Sequence, residues 1–218
     1  AEHLRLEVVK RGNNPQGGGE VLLYVPFVKH HLKPQQLTDF GMIKRVRGLA
    51  YAARMDPIVV NRMVDSAKSE LQRILPDIWI STDYHGKKTS GPDPGFALYL
   101  QAETDTGFHI GTEYNATVGA IPEEVGKHTV HTLFEQLKIG AGCVDRAHQW
   151  LVFLLMSLTS DDVNKVRVSK LTKYSIYVLR IIRDLVGVEF MFQEDQENGT
   201  IVCVCVGSNK RNLARRSN

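Results

Sequence analysis

Apolar and polar positions alternate or cluster along the chain in ways that predict its elements. Leu4, Leu6 and Val8 are separated by Arg5 and Glu7, and Val21 to Phe27 is an apolar run, so each segment predicts a strand. A strand is expected over 43–52. Asp56 and Pro57 then supply an N-cap and a first helical turn, after which Val59, Met63, Ala67 and Leu71 recur every fourth residue, predicting an amphipathic helix over 57–75. Asp77 to Asp83 alternates as a strand, and Pro92, Pro94 and Gly95 mark a loop. Phe96 to Ala102 and Phe108 to Ala116 read as two strands joined at Asp105-Thr106-Gly107. Pro122, Glu123 and Glu124 open another helix, with Val130, Leu133, Phe134 and Leu137 on one side. Helices over 145–158 and 172–186 follow, and strands over 187–193 and 199–206 close the pattern through Gln196-Glu197-Asn198-Gly199. Hairpins mixed with helices, without strict βαβ alternation, indicate an α+β fold, an α/β sandwich.

Composition narrows this only modestly. The 218 residues suit one large or two modest domains, and 43% apolar with 23% charged residues is the balance of a globular protein. A formal net charge of +3 permits a nucleic-acid partner without arguing for one. Cys143, Cys203 and Cys205 are an odd number without disulfide-framework spacing, which points to a reducing compartment. Cys203 and Cys205 would share one face of a strand as core residues. The longest apolar run, Trp150 to Met156, is too short to cross a bilayer, so no membrane partner is expected.

Between the first two strands lies Arg11-Gly12-Asn13-Asn14-Pro15-Gln16-Gly17-Gly18-Gly19-Glu20-Val21. Three consecutive glycines allow positive φ and close approach of a neighbour. A glycine-rich hairpin loop alone would explain them, and with no Lys-Ser/Thr after the glycines this is no Walker loop. The complete string is more specific. It resembles the signature of the RNA 3′-terminal phosphate cyclase family, Arg/His-Gly-x-x-Pro-x-Gly-Gly-Gly-x-Ile/Val. The resemblance runs on through Ile43-Lys44-Arg45-Val46-Arg47-Gly48, Val60-Asn61-Arg62-Met63-Val64-Asp65-Ser66-Ala67 and Ser90-Gly91-Pro92 to Gly142-Cys143-Val144-Asp145. It is greatest for the eukaryotic cyclase-like branch, the ribosome-assembly proteins.

That resemblance implies a large domain of repeated sheet-and-helix units with a smaller inserted domain of four strands and two helices. Residues 40–142 are expected to be the insert, and 1–39 with 143–218 the C-terminal part of the large domain. The N-terminal part of the family fold is expected to be absent from this chain.

The resemblance also implies where chemistry should lie. Active cyclases use ATP to seal an RNA 3′-phosphate into a 2′,3′-cyclic phosphate through a histidine-linked AMP. An imidazole suits this, being nucleophilic at neutral pH yet a good leaving group on phosphorus. The family places the histidine in a Leu-Thr-x-His string, matched here by Leu171-Thr172-Lys173-Tyr174. Tyr174 is a phenol with an ordinary pKa of about 10, a poor substitute. Active members also read Val-Asp-x-Tyr-x-x-Asp-Gln, with the tyrosine and second aspartate on the nucleotide. Here Ala147 and Trp150 stand at those positions. Three losses in one pocket predict an inactive site that needs no cofactor. His148, on the helix predicted beside Ala147, would face another way by about 100°.

Other polar residues are candidates on their own terms. Lys44, Arg45, Arg47, Arg54 and Arg62 could hold an acidic peptide or phosphates, or form a solvated face. His128 and His131 have a spacing that can share a metal, but no third ligand follows in a recognisable pattern, so none is expected. Asp83, His85 and Lys87 could form an acid–base set for RNA cleavage, though loop polarity explains them equally well. Lys210, Arg211, Arg215 and Arg216 make a basic tail that reads as a solvated terminus, or as a phosphate-binding or nuclear-import segment.

The resemblance therefore implies a catalytically inactive cyclase-like protein in 18S pre-rRNA processing and small-subunit biogenesis. It would bind a ribosome-assembly GTPase and the pre-ribosomal particle, with pre-rRNA a further partner, in the nucleolus of the nucleus. An active ATP-dependent cyclase and a pre-rRNA endonuclease are the alternatives.

Overall fold

The computed structural model describes residues 4–28, 30–138 and 142–212. Backbone packing divides the chain into two compact units: Ala1–Pro26, Ile43–Glu103 and Gly111–Phe134 form one, and Phe27–Met42, Thr104–Ile110 and Glu135–Asn218 the other.

In the first unit, β1 (Arg5–Lys10) and β2 (Glu20–Tyr24) pair antiparallel as a two-stranded sheet around the signature loop. A four-stranded sheet follows, ordered β5-β4-β6-β7, from β4 (Ile43–Ala53), β5 (Ile78–His85), β6 (Gly95–Thr104) and β7 (His109–Asn115). β4 and β5 run parallel, which requires a crossover, and α1 (Ile58–Leu71) supplies it. The Asp56 carboxylate accepts from the Ile58 N–H at 2.9 Å and so starts this helix. Val60, Met63, Ala67 and Leu71 of α1 are buried, with Val130 and Leu133 of α2 (Pro122–Lys138) and Phe96, Leu98, Leu100 and Ala102 of β6. The predicted fourfold repeat holds from Met63 onward, but Val60 rather than Val59 is the first fully buried position. The helix also stops at Leu71, short of the expected residue 75.

The second unit carries a sheet ordered β3-β8-β10-β9, from β3 (Gln36–Leu37), β8 (Val163–Val168), β9 (Met191–Asp195) and β10 (Thr200–Val206). Its helices are α3 (Gln149–Ser157) and α4 (Lys173–Val186). The core joins Phe153 and Met156 of α3 and Ile182 of α4 to Val166, Val168, Cys203 and Cys205 of the sheet. Phe153 meets Phe190 edge-on, with ring centroids 5.4 Å apart.

β8 carries no expectation in the sequence reading, yet it pairs with β3 on one side and β10 on the other. Asn164, Val166 and Val168 alternate inward along it, and the polar Asn164 masks the pattern. Asn164 is fully buried and donates to Thr159 Oγ1 at 2.7 Å, so tertiary hydrogen bonding rather than hydropathy admits it. The strand expected over 187–193 begins only at Met191, because Gly187 sits at φ 79° as the left-handed cap of α4.

Candidate functional site

The signature loop is built by close backbone approach. A methyl group at Gly12 would fall 2.4 Å from the Gly19 nitrogen, and one at Gly91 would fall 1.9 Å from the Gly17 carbonyl oxygen. Arg11 N–H donates to the Thr89 carbonyl at 2.9 Å, and Gly91 N–H donates back to the Arg11 carbonyl at 2.7 Å. The Asp93 carboxylate accepts from Gln16 N–H at 2.6 Å. Glu20 pairs with Lys10 at 3.3 Å, and the Asn14–Pro15 peptide is cis. Gly12 thus lets the two arms of the loop close on each other at Gly19, Gly18 and Gly91 let the loop seat against residues 91–92, and a side chain at Gly17, at φ 71°, would face open space. The signature has a packing role that its composition alone does not reveal.

Beside it opens a cavity of about 1100 Å³, lined among others by Arg11, Asn13, Gly19, Tyr51, Phe96 and Asn115. The Arg11 guanidinium lies 4.5 Å from the Tyr51 ring centroid and 3.7 Å from Asp83. Burial raises the Tyr51 pKa, partly offset by Arg11, so this phenol is neutral at physiological pH.

The structure brings Asp83 and His85 together at 2.8 Å, while Lys87 is exposed on the following loop. His85 Nε2 is occupied by Asp83, and His85 Nδ1 is buried without a hydrogen-bond partner. Neither ring nitrogen is open to a substrate, which works against proton transfer at this pair.

The basic candidates sort into two kinds. Arg45 pairs with Glu103, Arg47 makes a two-pronged pair with Asp77 at 2.8 and 3.1 Å, and Arg62 another with Glu123 at 2.7 and 2.9 Å. Hydrogen bonding to these guanidiniums holds the Asp77 and Glu123 pKa values below the usual carboxylate range. Lys44 is exposed, and the Arg54 side chain donates to Ser90 Oγ at 3.3 Å.

In the second unit, Trp150 and Tyr174 meet edge-on with ring centroids 5.9 Å apart. Tyr174 is 59% exposed, and Ala147 is exposed. The start of α4 is closed by its own side chains. Thr172 Oγ1 accepts from Ser175 N–H at 3.0 Å, and the fully buried Gln149 accepts from Thr172 N–H and Ser175 Oγ. Gln149 Nε2 donates to the Lys170 carbonyl at 2.9 Å. N–H groups that would greet a phosphate at a helix start are thus partly engaged here. Gln149 carries no expectation in the sequence reading, although the Thr172-x-x-Ser175 spacing is a legible cap signal.

His148 does not lie within a helix beside Ala147, as expected. Residues 146–148 form a turn, because the Asp145 carboxylate accepts from His148 N–H at 2.9 Å and meets the ring Nδ1 at 2.8 Å. His128 stacks on Tyr114 at 4.2 Å, and among the described residues no group of three or more His, Cys, Asp or Glu is placed to hold a metal. Burial pushes the Cys203 and Cys205 thiols up to about 12 and Cys143 up to about 11, so all three are neutral and poor nucleophiles. No described helix is long and apolar enough to cross a membrane. Arg215 and Arg216 lie outside the described residues.

Comparison with known proteins adds identity to this geometry. Residues 38–138 match the family described as RNA 3′-terminal phosphate cyclase (RTC), insert domain. Over nearly its whole length the chain is similar to members of the RNA 3′-terminal phosphate cyclase family. Within that family its similarity is to cyclase-like proteins. It is 39% identical to a probable RNA 3′-terminal phosphate cyclase-like protein of Dictyostelium discoideum over 98% of this chain and 61% of the relative. It is 40% identical to the RNA 3′-terminal phosphate cyclase-like protein of Homo sapiens over 98% of this chain and 60% of that protein. It is also 36% identical to the rRNA processing protein rcl1 of Schizosaccharomyces pombe, over 99% and 59%. The chain therefore spans about 60% of the length of these relatives.

Proposed function

We propose that this chain belongs to a non-catalytic cyclase-like protein that acts in pre-rRNA processing, toward 18S rRNA and the small ribosomal subunit. The observation that carries this reading is the start of α4. There the family's histidine position is Tyr174, its neighbours in the expected pocket are Ala147 and Trp150, and Thr172 and Gln149 occupy the helix's leading N–H groups. Among the described residues no basic side chain hydrogen-bonds the exposed Tyr174 phenol, which sits edge-on to an indole, so none activates it as an adenylate carrier. Similarity to the fission-yeast rRNA processing protein supports the choice of pathway.

On this reading the protein works by binding, with a ribosome-assembly GTPase and the pre-ribosomal particle as partners, in the nucleolus. Residues 40–142 are its inserted domain, and 1–39 with 143–218 belong to the large domain. The test is incubation with labelled ATP and Mg²⁺, beside affinity purification from nuclear extract. The expected outcome is no covalent AMP and co-purification of pre-ribosomal proteins with a GTPase. Covalent AMP on the protein would instead favour an active cyclase. Cleavage of a pre-rRNA fragment that is lost with His85→Ala would favour the endonuclease.

A further inference from the structure

Among the candidate cations of the first unit, those on one corner differ from the paired arginines, and Lys44, also exposed, lies at the opposite end of β4. Arg45, Arg47 and Arg62 each face a carboxylate. Arg54, Lys87 and Lys88 are exposed, and among the described residues no carboxylate lies within ion-pair distance of any of them. They are close together: Arg54 N–H donates to the His85 carbonyl at 2.8 Å, and Arg54 Nε donates to Ser90 Oγ at 3.3 Å. Lys87 and Lys88 occupy the loop between those two anchors. Ser90 Oγ in turn donates to the Gly86 carbonyl at 2.8 Å, closing the loop on itself. Asp83 is the nearby acid, and it faces His85 and Arg11.

Arg54 is also held in the left-handed region, at φ 55°. A side chain bearing a Cβ is uncommon there, and such residues persist when surroundings impose them, often at sites of function. Gly would fit this backbone without strain, so the arginine side chain is the feature that the strain retains.

We propose that Arg54 and the loop Gly86–Ser90 form a contact for the phosphate backbone of RNA, deepening the pre-rRNA reading on which this inference rests. Three unneutralised cations, two on the exposed loop and Arg54 bonded to its ends, suit a polyanion better than a single small anion. The site offers no exposed aromatic ring on the loop itself, so it would position RNA without reading sequence. Its cations lie within the region matched to the insert domain, residues 38–138.

The test uses the full chain and two unrelated single-stranded RNA oligonucleotides, with affinity measured by fluorescence anisotropy across a salt series. Each lost phosphate contact lowers the slope of log affinity against log salt by about 0.7 on a single strand. Lys87→Gln with Lys88→Gln is therefore expected to lower it by about 1.4, and Arg54→Gly by about 0.7, for both sequences alike. Arg62→Gln removes the same unit of charge from a paired site and is expected to leave the slope unchanged. Arg54→Gly is also expected to keep or raise the melting temperature. An unchanged slope in the loop variants, an equal loss with Arg62→Gln, or a lower melting temperature for Arg54→Gly would overturn the assignment. Co-purification with pre-ribosomal proteins, measured on the same variants, separates the two readings. Its persistence alongside an unchanged slope sinks the RNA contact alone, and its absence from the unmodified chain sinks the pre-rRNA reading itself.

Discussion

The signature loop and the start of α4 are opposite cases of what a motif can mean. At the loop, the residues match the family string position by position, and the structure uses its glycines at 12 and 18 to let two stretches of backbone touch. At α4, the string departs from the family at Tyr174, and the hydrogen bonds of Thr172 and Gln149 hold the helix start regardless. The first is a matched motif with an architectural role; the second is an altered motif on an intact architecture. Matching residues and retained chemistry are therefore separate questions.

This contrast makes predictions that differ in size. Gln149→Leu leaves Thr172 N–H and the Lys170 carbonyl without their partner, while Ser175 Oγ keeps Thr172 Oγ1, and should destabilise by about 2–6 kcal/mol, given about 1–3 kcal/mol per unsatisfied group. Denaturant unfolding measures it; a loss below 1 kcal/mol would mean that water replaces the amide, and that the α4 start is not held as described. Gly91→Ala drives a methyl into the Gly17 carbonyl and should cost about 1–3 kcal/mol, with protease sensitivity rising in the signature loop. A fully stable Gly91→Ala would break the claim that the loop depends on backbone contact.

Thr172→Ala removes a helix cap and should cost about 1 kcal/mol. Tyr174→His, at a largely exposed position, should change stability by no more than about 0.5 kcal/mol. It should also leave the protein unlabelled by ATP, since one imidazole does not restore the tyrosine and aspartate that Ala147 and Trp150 replace. Labelling of Tyr174→His alone would show a nucleotide pocket intact but for its nucleophile.

The smallest effect is a pH dependence at Asp195. Hydrogen bonds from Asn198 and Arg167 hold its carboxyl at about 2. A depressed folded-state pKa stabilises above the unfolded value of about 3.9, and that contribution is lost as pH falls toward 2. Asp195→Asn should therefore flatten the stability profile between those values and leave it unchanged near neutrality apart from a constant offset. Chemical denaturation at several acidic pH values would show whether the slope disappears.

Hydropathy made much of the fold legible. Both helices of the first unit, all four of its larger sheet's strands and the β9–β10 turn follow from period and turn chemistry. The second unit was harder to read because its central strand β8 hides the buried Asn164 among apolar neighbours, and because Gly187 ends a helix where apolar residues continue. Of the site, Tyr174, Ala147 and Trp150 stood out as departures from a string, whereas Gln149 had no signal, since a lone glutamine looks the same buried or exposed.

Sequence alone determined the periodic elements, the family signature and which reactive side chains are missing, because these depend on residue order and identity. Tertiary structure decided which charges are neutralised. Arg45, Arg47 and Arg62 meet carboxylates 58, 30 and 61 positions away along the chain, while Arg54 and its neighbouring lysines do not. Ion pairing depends on distances of a few ångströms between residues far apart in order, and only folding sets those distances.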